Sequence, residues 1–203
     1  MKKKSLALLM AVVMLFGVTV GGTLAWLMTE SQTVTNTFTV GDINIDLYET
    51  DDAGVKTQAN EYQLVPGNKY KKDPKVEVLT TTNVDCYLFV KFVENDAAKT
   101  YLNYESTLTA ANGWTKLTDT VPGEDDDVWY RMVPTTATAT ERSWYLLAAD
   151  GDFTNGYVGI DGTAVTETTM SAADAAELKW DAYAVQKDNR TVEQAWELVD
   201  PTN

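Results

Sequence analysis

Two oxygen-rich turns carry the residue types best suited to holding an ion. Asp150, Asp152 and Asn155 fall within DGDFTNG at 150–156, and residues 123–127 read GEDDD. Carboxylate and carboxamide oxygens this close together suit calcium, which takes about six to eight oxygen ligands. The spacing departs from the EF-hand pattern, however, and no glutamate stands at the closing position. A solvated turn is therefore the favoured reading, with calcium as the only cofactor to consider. Other chemistry is excluded more firmly. The 203 residues include no histidine and a single cysteine, Cys86. This removes the commonest general base, the common catalytic zinc ligand and every Ser-His-Asp or Cys-His arrangement. An intrachain disulfide is also impossible. The serines and lysines form no nucleophile motif. Carboxylates are plentiful, but no spacing singles out a pair for glycoside hydrolysis. These residues predict a protein that is not an enzyme. Trp114, Trp129, Tyr130, Trp144, Tyr145, Trp180 and Trp196 could stack on sugars if exposed; core packing is the favoured role.

The elements that must position these residues are mostly strands. Lys75 to Thr80 and Val84 to Val93 both alternate. In the second, Val84, Cys86, Leu88, Val90 and Phe92 line one face, and Tyr87, Phe89 and Val93 the other. Apolar residues on both faces predict a central strand covered on two sides, with Cys86 a small buried hydrophobe. Further strands are expected at 128–133 and within 139–153, and a strand pair within 156–170 turning near Asp161-Gly162. Another is expected over 178–186, with Leu178, Trp180, Ala182 and Ala184 on one face. Short helices are expected near 96–101, after a Ser171 cap, and after a Thr191 cap. Asp52-Ala53-Gly54 and Pro66-Gly67-Asn68 have turn chemistry. Many short, threonine-rich strands separated by turns predict an all-β, jelly-roll-like antiparallel β-sandwich with a few short helices.

The N-terminus sets the context. Lys2, Lys3 and Lys4 precede an uncharged apolar run, and Gly21, Gly22, Thr23, Leu24 and Ala25 follow it. This is the layout of a secretory signal-peptide helix over 1–25. Thr23 and Ala25 would be read by the peptidase, and Trp26 would become the first residue. The competing reading is a retained anchor, since the apolar run approaches the length of a membrane span. Removing 25 of 203 residues would leave 178, enough for one domain over 41–203 behind an arm at 26–40. As three lysines leave, the formal charge would pass from −14 to −17. So acidic a surface disfavours nucleic acid, and membrane contact would be transient, through the signal peptide alone.

Several stretches in order resemble one family. GGTLAWL followed by TNTFTVGDINIDLYE, then LVPGNKYKKDPKVEV, then AYAVQ and AW near the end are similar to the TasA/camelysin-like proteins. These are biofilm matrix fibre proteins with SipW-dependent-type signal peptides. The likeness covers the signal region, the first two strands and the last strand; residues 95–165 are not diagnostic. The resemblance implies a jelly-roll sandwich, secreted to the matrix or cell surface of a Gram-positive bacterium. Its partners would be a signal peptidase of the SipW type and further copies of itself. The mature N-terminal segment would complete the sheet of the next subunit, and fibres would grow head to tail. Camelysin-like members have been described as metalloproteases. Without histidine, this sequence gives that activity no support.

The residues of the arm bear on the same question. Trp26 and Leu27 start it, and Val34, Phe38 and Val40 are apolar at even positions. Beyond Gly41 the apolar residues are odd: Ile43, Ile45 and Leu47. A one-residue offset turns the apolar set to the other face of a strand. Two faces imply two packing partners. The odd set suits the chain's own core, and the even set suits a neighbouring subunit, with Gly41 as the hinge. The competing reading is one strand with a bulge at Gly41, folded within its own monomer. A monomeric surface module for glycans or host ligands is the rival function, and a secreted hydrolase a weaker one.

Overall fold

The computed structural model describes residues 42–58, 60, 62, 65–117 and 127–199. The signal segment, the arm and Gly41 lie outside the described residues, as does the acidic turn apart from Asp127. Eleven strands follow one another in the described chain. They are β1 Ile45–Thr50, β2 Lys56–Thr57, β3 Lys69–Lys71, β4 Lys75–Val78, β5 Cys86–Glu94 and β6 Leu102–Asn103. Then come β7 Thr115–Lys116, β8 Asp127–Val133, β9 Ser143–Tyr145, β10 Tyr157–Ile160 and β11 Leu178–Gln186. Every ladder between them is antiparallel. One sheet has the order β2-β1-β4-β9, a second β11-β5-β8-β7, and a smaller third β3-β10-β6.

The two four-stranded sheets enclose the main core, which makes the protein an all-β sandwich. Val76 and Val78 come from one sheet. Cys86, Leu88, Val90, Phe92 and Trp180 come from the other. Ile43, Ile45 and Leu47 pack against this core, as their odd-numbered alternation predicts. Trp114 and Leu146 fill it further.

β5 is central and covered on both faces, as expected. Its even residues face the sandwich interior. Phe89 and Tyr87 face outward and meet Val185, Ala195 and Trp196. Trp196 belongs to the helix Val192–Trp196, which Thr191 starts with a full capping box. That helix therefore closes the outer face of the sheet. Burial holds the Cys86 thiol up at about 11, so it stays protonated and inert. The third sheet has its own small core of Ile160, Val165 and Ala173.

The helix at Asp96–Tyr101 forms as expected, with Asn95 as the cap: its side chain accepts from Ala98 N. Three expectations need correction. The chain from 156 to 170 is not a strand pair: only β10 is a strand there. Asp161 accepts from Thr163 N at 2.7 Å and Ala164 N at 3.0 Å, and Thr169 Oγ1 donates to Ala164 O at 2.8 Å. These local bonds curl the returning segment into turns. Ser171 is not a cap, because the helix is Met170–Ala173 and begins after Thr169. The strand expected within 139–153 is limited to β9, since a 3₁₀ turn at Thr140–Arg142 precedes it.

Candidate functional site: a groove between two sheet edges

The site grows from how two strands are left paired. β1 meets β4 along Ile45 to Tyr48, but it meets β2 only at Glu49 and Thr50. β11 meets β5 along its whole length and, among the described residues, has no second ladder. The edges of β1 and β11 border a shared groove. One cavity of about 380 Å³ is lined by Leu47, Tyr48, Glu49, Trp180 and Asp181. A second, of about 440 Å³, continues it past Ile45, Leu47 and Ala182. The lining is mixed: Ile45, Leu47 and Ala182 are apolar, while Asp46, Glu49 and Asp181 carry charge.

One polar feature suits a strand-like occupant. Gln58 Nε2 donates to the main-chain oxygen of Leu47 at 3.1 Å. A side-chain amide thereby serves a β1 carbonyl that an adjacent strand's N–H would otherwise serve. Trp180 is 8% exposed, and its indole N–H has no acceptor among the described residues. Trp196 Nε1 and Arg131 Nη1, away from the groove, are buried without a partner in the same way, so this state is not particular to the groove. Trp180 is otherwise well held: it stacks on Phe92 with centroids 5.2 Å apart.

The inner end of the groove is charged. Lys72, just after β3, places Nζ 2.7 Å from Glu49 Oε1. Asn60 Nδ2 donates to Glu49 Oε2 at 3.0 Å, and Tyr62 OH donates to the same oxygen at 3.2 Å. Glu49 and Lys72 are both buried. The rings of Tyr62 and Trp180 stand 5.2 and 5.3 Å from the Lys72 ammonium. Burial and the Glu49 charge push the Tyr62 phenol well above its ordinary value, so it remains a donor. Next to this group, Asp73 accepts from Thr50 N at 2.8 Å and from Thr50 Oγ1 at 2.5 Å. Lys71 Nζ lies 3.4 Å from Asp73 Oδ2. Three successive charges, Lys71, Lys72 and Asp73, are each anchored to β1.

A second polar set lies at the other end of β4. Glu77 Oε1 takes Lys75 Nζ at 2.5 Å, Tyr48 OH at 3.0 Å and Ser143 Oγ at 3.2 Å. Burial alone would raise the Glu77 carboxyl, but these partners outweigh it and hold the group below its ordinary range.

The calcium candidates are arranged differently from a cation site. Asp150 Oδ1 accepts from Asp152 N at 2.9 Å and Phe153 N at 2.8 Å, which closes the turn on itself. Its other oxygen holds Lys69 Nζ at 2.6 Å, and Asp152 lies 3.6 Å from the same nitrogen. A lysine ammonium thus supplies the positive charge in this turn. Asn155 sits half-buried in the bend beyond it. Among the described residues, no three acidic, cysteine or histidine side chains gather as metal ligands.

The aromatic candidates are packed, and none of the seven is exposed. Arg131 lies between two of them, 4.8 Å from the Trp114 ring and 4.1 Å from Trp144. Trp129 faces the main core and Tyr130 the outer cluster, so each side of β8 uses one aromatic.

Sequence reasoning missed the Glu49, Lys72 and Asn60 group and also Arg142. The latter is 3% exposed and donates to the carbonyls of Ala137, Leu79, Thr82, Pro134 and Thr135. Nothing in a run such as TATERSW marks its arginine as buried. A scan against protein-family models, a search of curated proteins and a search of solved structures find no match to the chain.

Proposed function

We propose that this chain is an exported structural protein, a subunit of extracellular fibres or of a surface matrix, with no catalytic turnover. Subunits join by donor-strand addition. The arm at 26–40, freed after Ala25, enters the β1–β11 groove of the next copy. Main-chain bonds to the two sheet edges give affinity, and Val34, Phe38 and Val40 give register. The groove carries this reading, because it joins the β1 edge, where a side-chain amide serves the Leu47 carbonyl, to the edge of β11, which has no second ladder among the described residues. The resemblance to fibre proteins and the parity change at Gly41 agree with it. The packed tryptophans weigh against a glycan-binding module.

Electron microscopy of the purified chain beginning at Trp26 tests the proposal. Fibres are expected from this chain. Deleting residues 26–38 should abolish them while leaving a folded core. Fibres that survive the deletion would exclude the arm as donor. Monodisperse monomer at high concentration across pH and salt would favour the binding module instead.

A further inference from the structure

We propose that Lys72 and Asn60 become joined by an intramolecular amide bond that forms within the folded sandwich, with Glu49 as the proton carrier. An amine and a carboxamide meet one carboxylate here, the three drawn from separate parts of the chain. Glu49 is on β1, Asn60 is in the connection after β2, and Lys72 follows β3. One carboxylate orders the other two groups. Its Oε1 is 2.7 Å from the lysine nitrogen, and its Oε2 takes the carboxamide Nδ2 at 3.0 Å. The side chains of Lys72 and Glu49 are each only 10% exposed. The flanking rings of Tyr62 and Trp180 limit water near the amine.

Amide exchange between a lysine and an asparagine is slow in solution for three reasons. The amine is protonated, the two groups seldom meet, and the departing nitrogen needs a proton. The geometry answers each. Glu49 takes a proton from the Lys72 ammonium across their contact, as a general base. The neutral Nζ then attacks Cγ of Asn60, and the new C–N bond forms as the carbonyl π pair moves to oxygen. Glu49, now a carboxylic acid, returns its proton to Nδ2, which it already touches. The oxygen pair re-forms the carbonyl, the Cγ–Nδ2 bond breaks and ammonia departs with the pair of that bond; of the two protons left on Nζ, one leaves to form ammonium and the other stays as the amide N–H. Lysine ammonium plus carboxamide thus gives a secondary amide plus ammonium, with charge conserved and no oxidant or reductant. Holding the reactants on one scaffold supplies the effective concentration the step needs. Glu49, Lys72 and Asn60 all line the same cavity of about 380 Å³, which gives the ammonia somewhere to go.

The bond would tie the segment after β2 to the segment between β3 and β4. It does not depend on assembly, because a monomer would carry it equally well. Mass spectrometry of the protein as isolated tests it. The expected result is a chain about 17 Da lighter than its sequence mass, the loss of one ammonia. Tandem sequencing should yield a branched peptide linking residue 60 to residue 72. Trypsin should fail to cleave after Lys72, although Asp73 follows it and would permit cleavage. Asn60→Ala and Glu49→Gln should each have their full sequence mass. A wild-type chain at full mass, cleaved normally after Lys72, would overturn the proposal. So would a deficit that persists in Asn60→Ala, which would locate the loss elsewhere. A loss of about 18 Da would do the same, since it would signal direct condensation of Lys72 with Glu49.

Discussion

Glu77 shows how one carboxylate can link sequence to pH response. It sits among Lys75, Tyr48 and Ser143 on β4, and its folded-state carboxyl lies below the ordinary 4.5. A lowered folded value means that the unfolded chain takes up the proton first as pH falls. The stabilisation is therefore complete above the ordinary value and is lost as pH drops through the folded one. Glu77→Gln should cost about 1 kcal/mol at neutral pH, typical of a partly exposed ion pair. It should also make the acid limb of the urea midpoint against pH shallower than in the wild type. An unchanged acid limb would remove Glu77 from the response. At this scale the sequence was least informative. Alternation identified which hydrophobic residues face the core, including the buried Cys86 and the half-buried Ile43, Ile45 and Leu47. It could not show that Lys72, Asp73 and Arg142 are buried too, because a charged side chain becomes buried only when distant partners arrive. Arg142 meets carbonyls at Leu79 and Thr82, about sixty residues away, and Lys72 meets a carboxylate from β1.

At the scale of elements, the same distinction separates strands from turns. β5, β8 and β11 were legible because a period of two across both faces has one structural solution. The segment after β10 was not, because its threonines favour a strand by propensity yet bond to nearby main chain when Asp161 begins a turn. The groove was legible in neither sense, for it depends on which edges the sheets leave unpaired. Gly156 shows how tightly the elements are joined beside it. Its φ is +125°, and a Cβ there would lie 2.4 Å from the main-chain oxygen of Lys72. Lys72 N also donates to Gly156 O at 3.2 Å. Gly156→Ala should destabilise the fold by about 3 kcal/mol through strain and overpacking. Because the displaced backbone carries Lys72, the pairing with Glu49 should loosen as well. Urea denaturation of the variant measures the first effect, and a stability within about 0.5 kcal/mol of wild type would show that the backbone gives way freely.

For the whole molecule, charge sets the terms of association. The formal charge is −14 and the sequence isoelectric point about 4.3. Copies of such a chain repel one another at neutral pH, over a Debye length of about 8 Å at physiological salt. If assembly proceeds by the proposed strand addition, its rate should rise with added salt and again as pH approaches the isoelectric point. Light scattering on the chain beginning at Trp26 would record this. A rate that falls with salt would point to attraction between unlike charges as the driving contact. The acid response of Glu77 runs the other way, since protonation there weakens the fold. Association should therefore be fastest above the pH at which the sandwich itself begins to loosen.

Cys86 gives the molecule a built-in clock. It is the chain's only thiol, it has no exposed surface, and it lies at the start of β5 between β8 and β11. A thiol-directed label can reach it only when the central sheet parts. The labelling rate therefore measures how often that happens, with no probe to engineer.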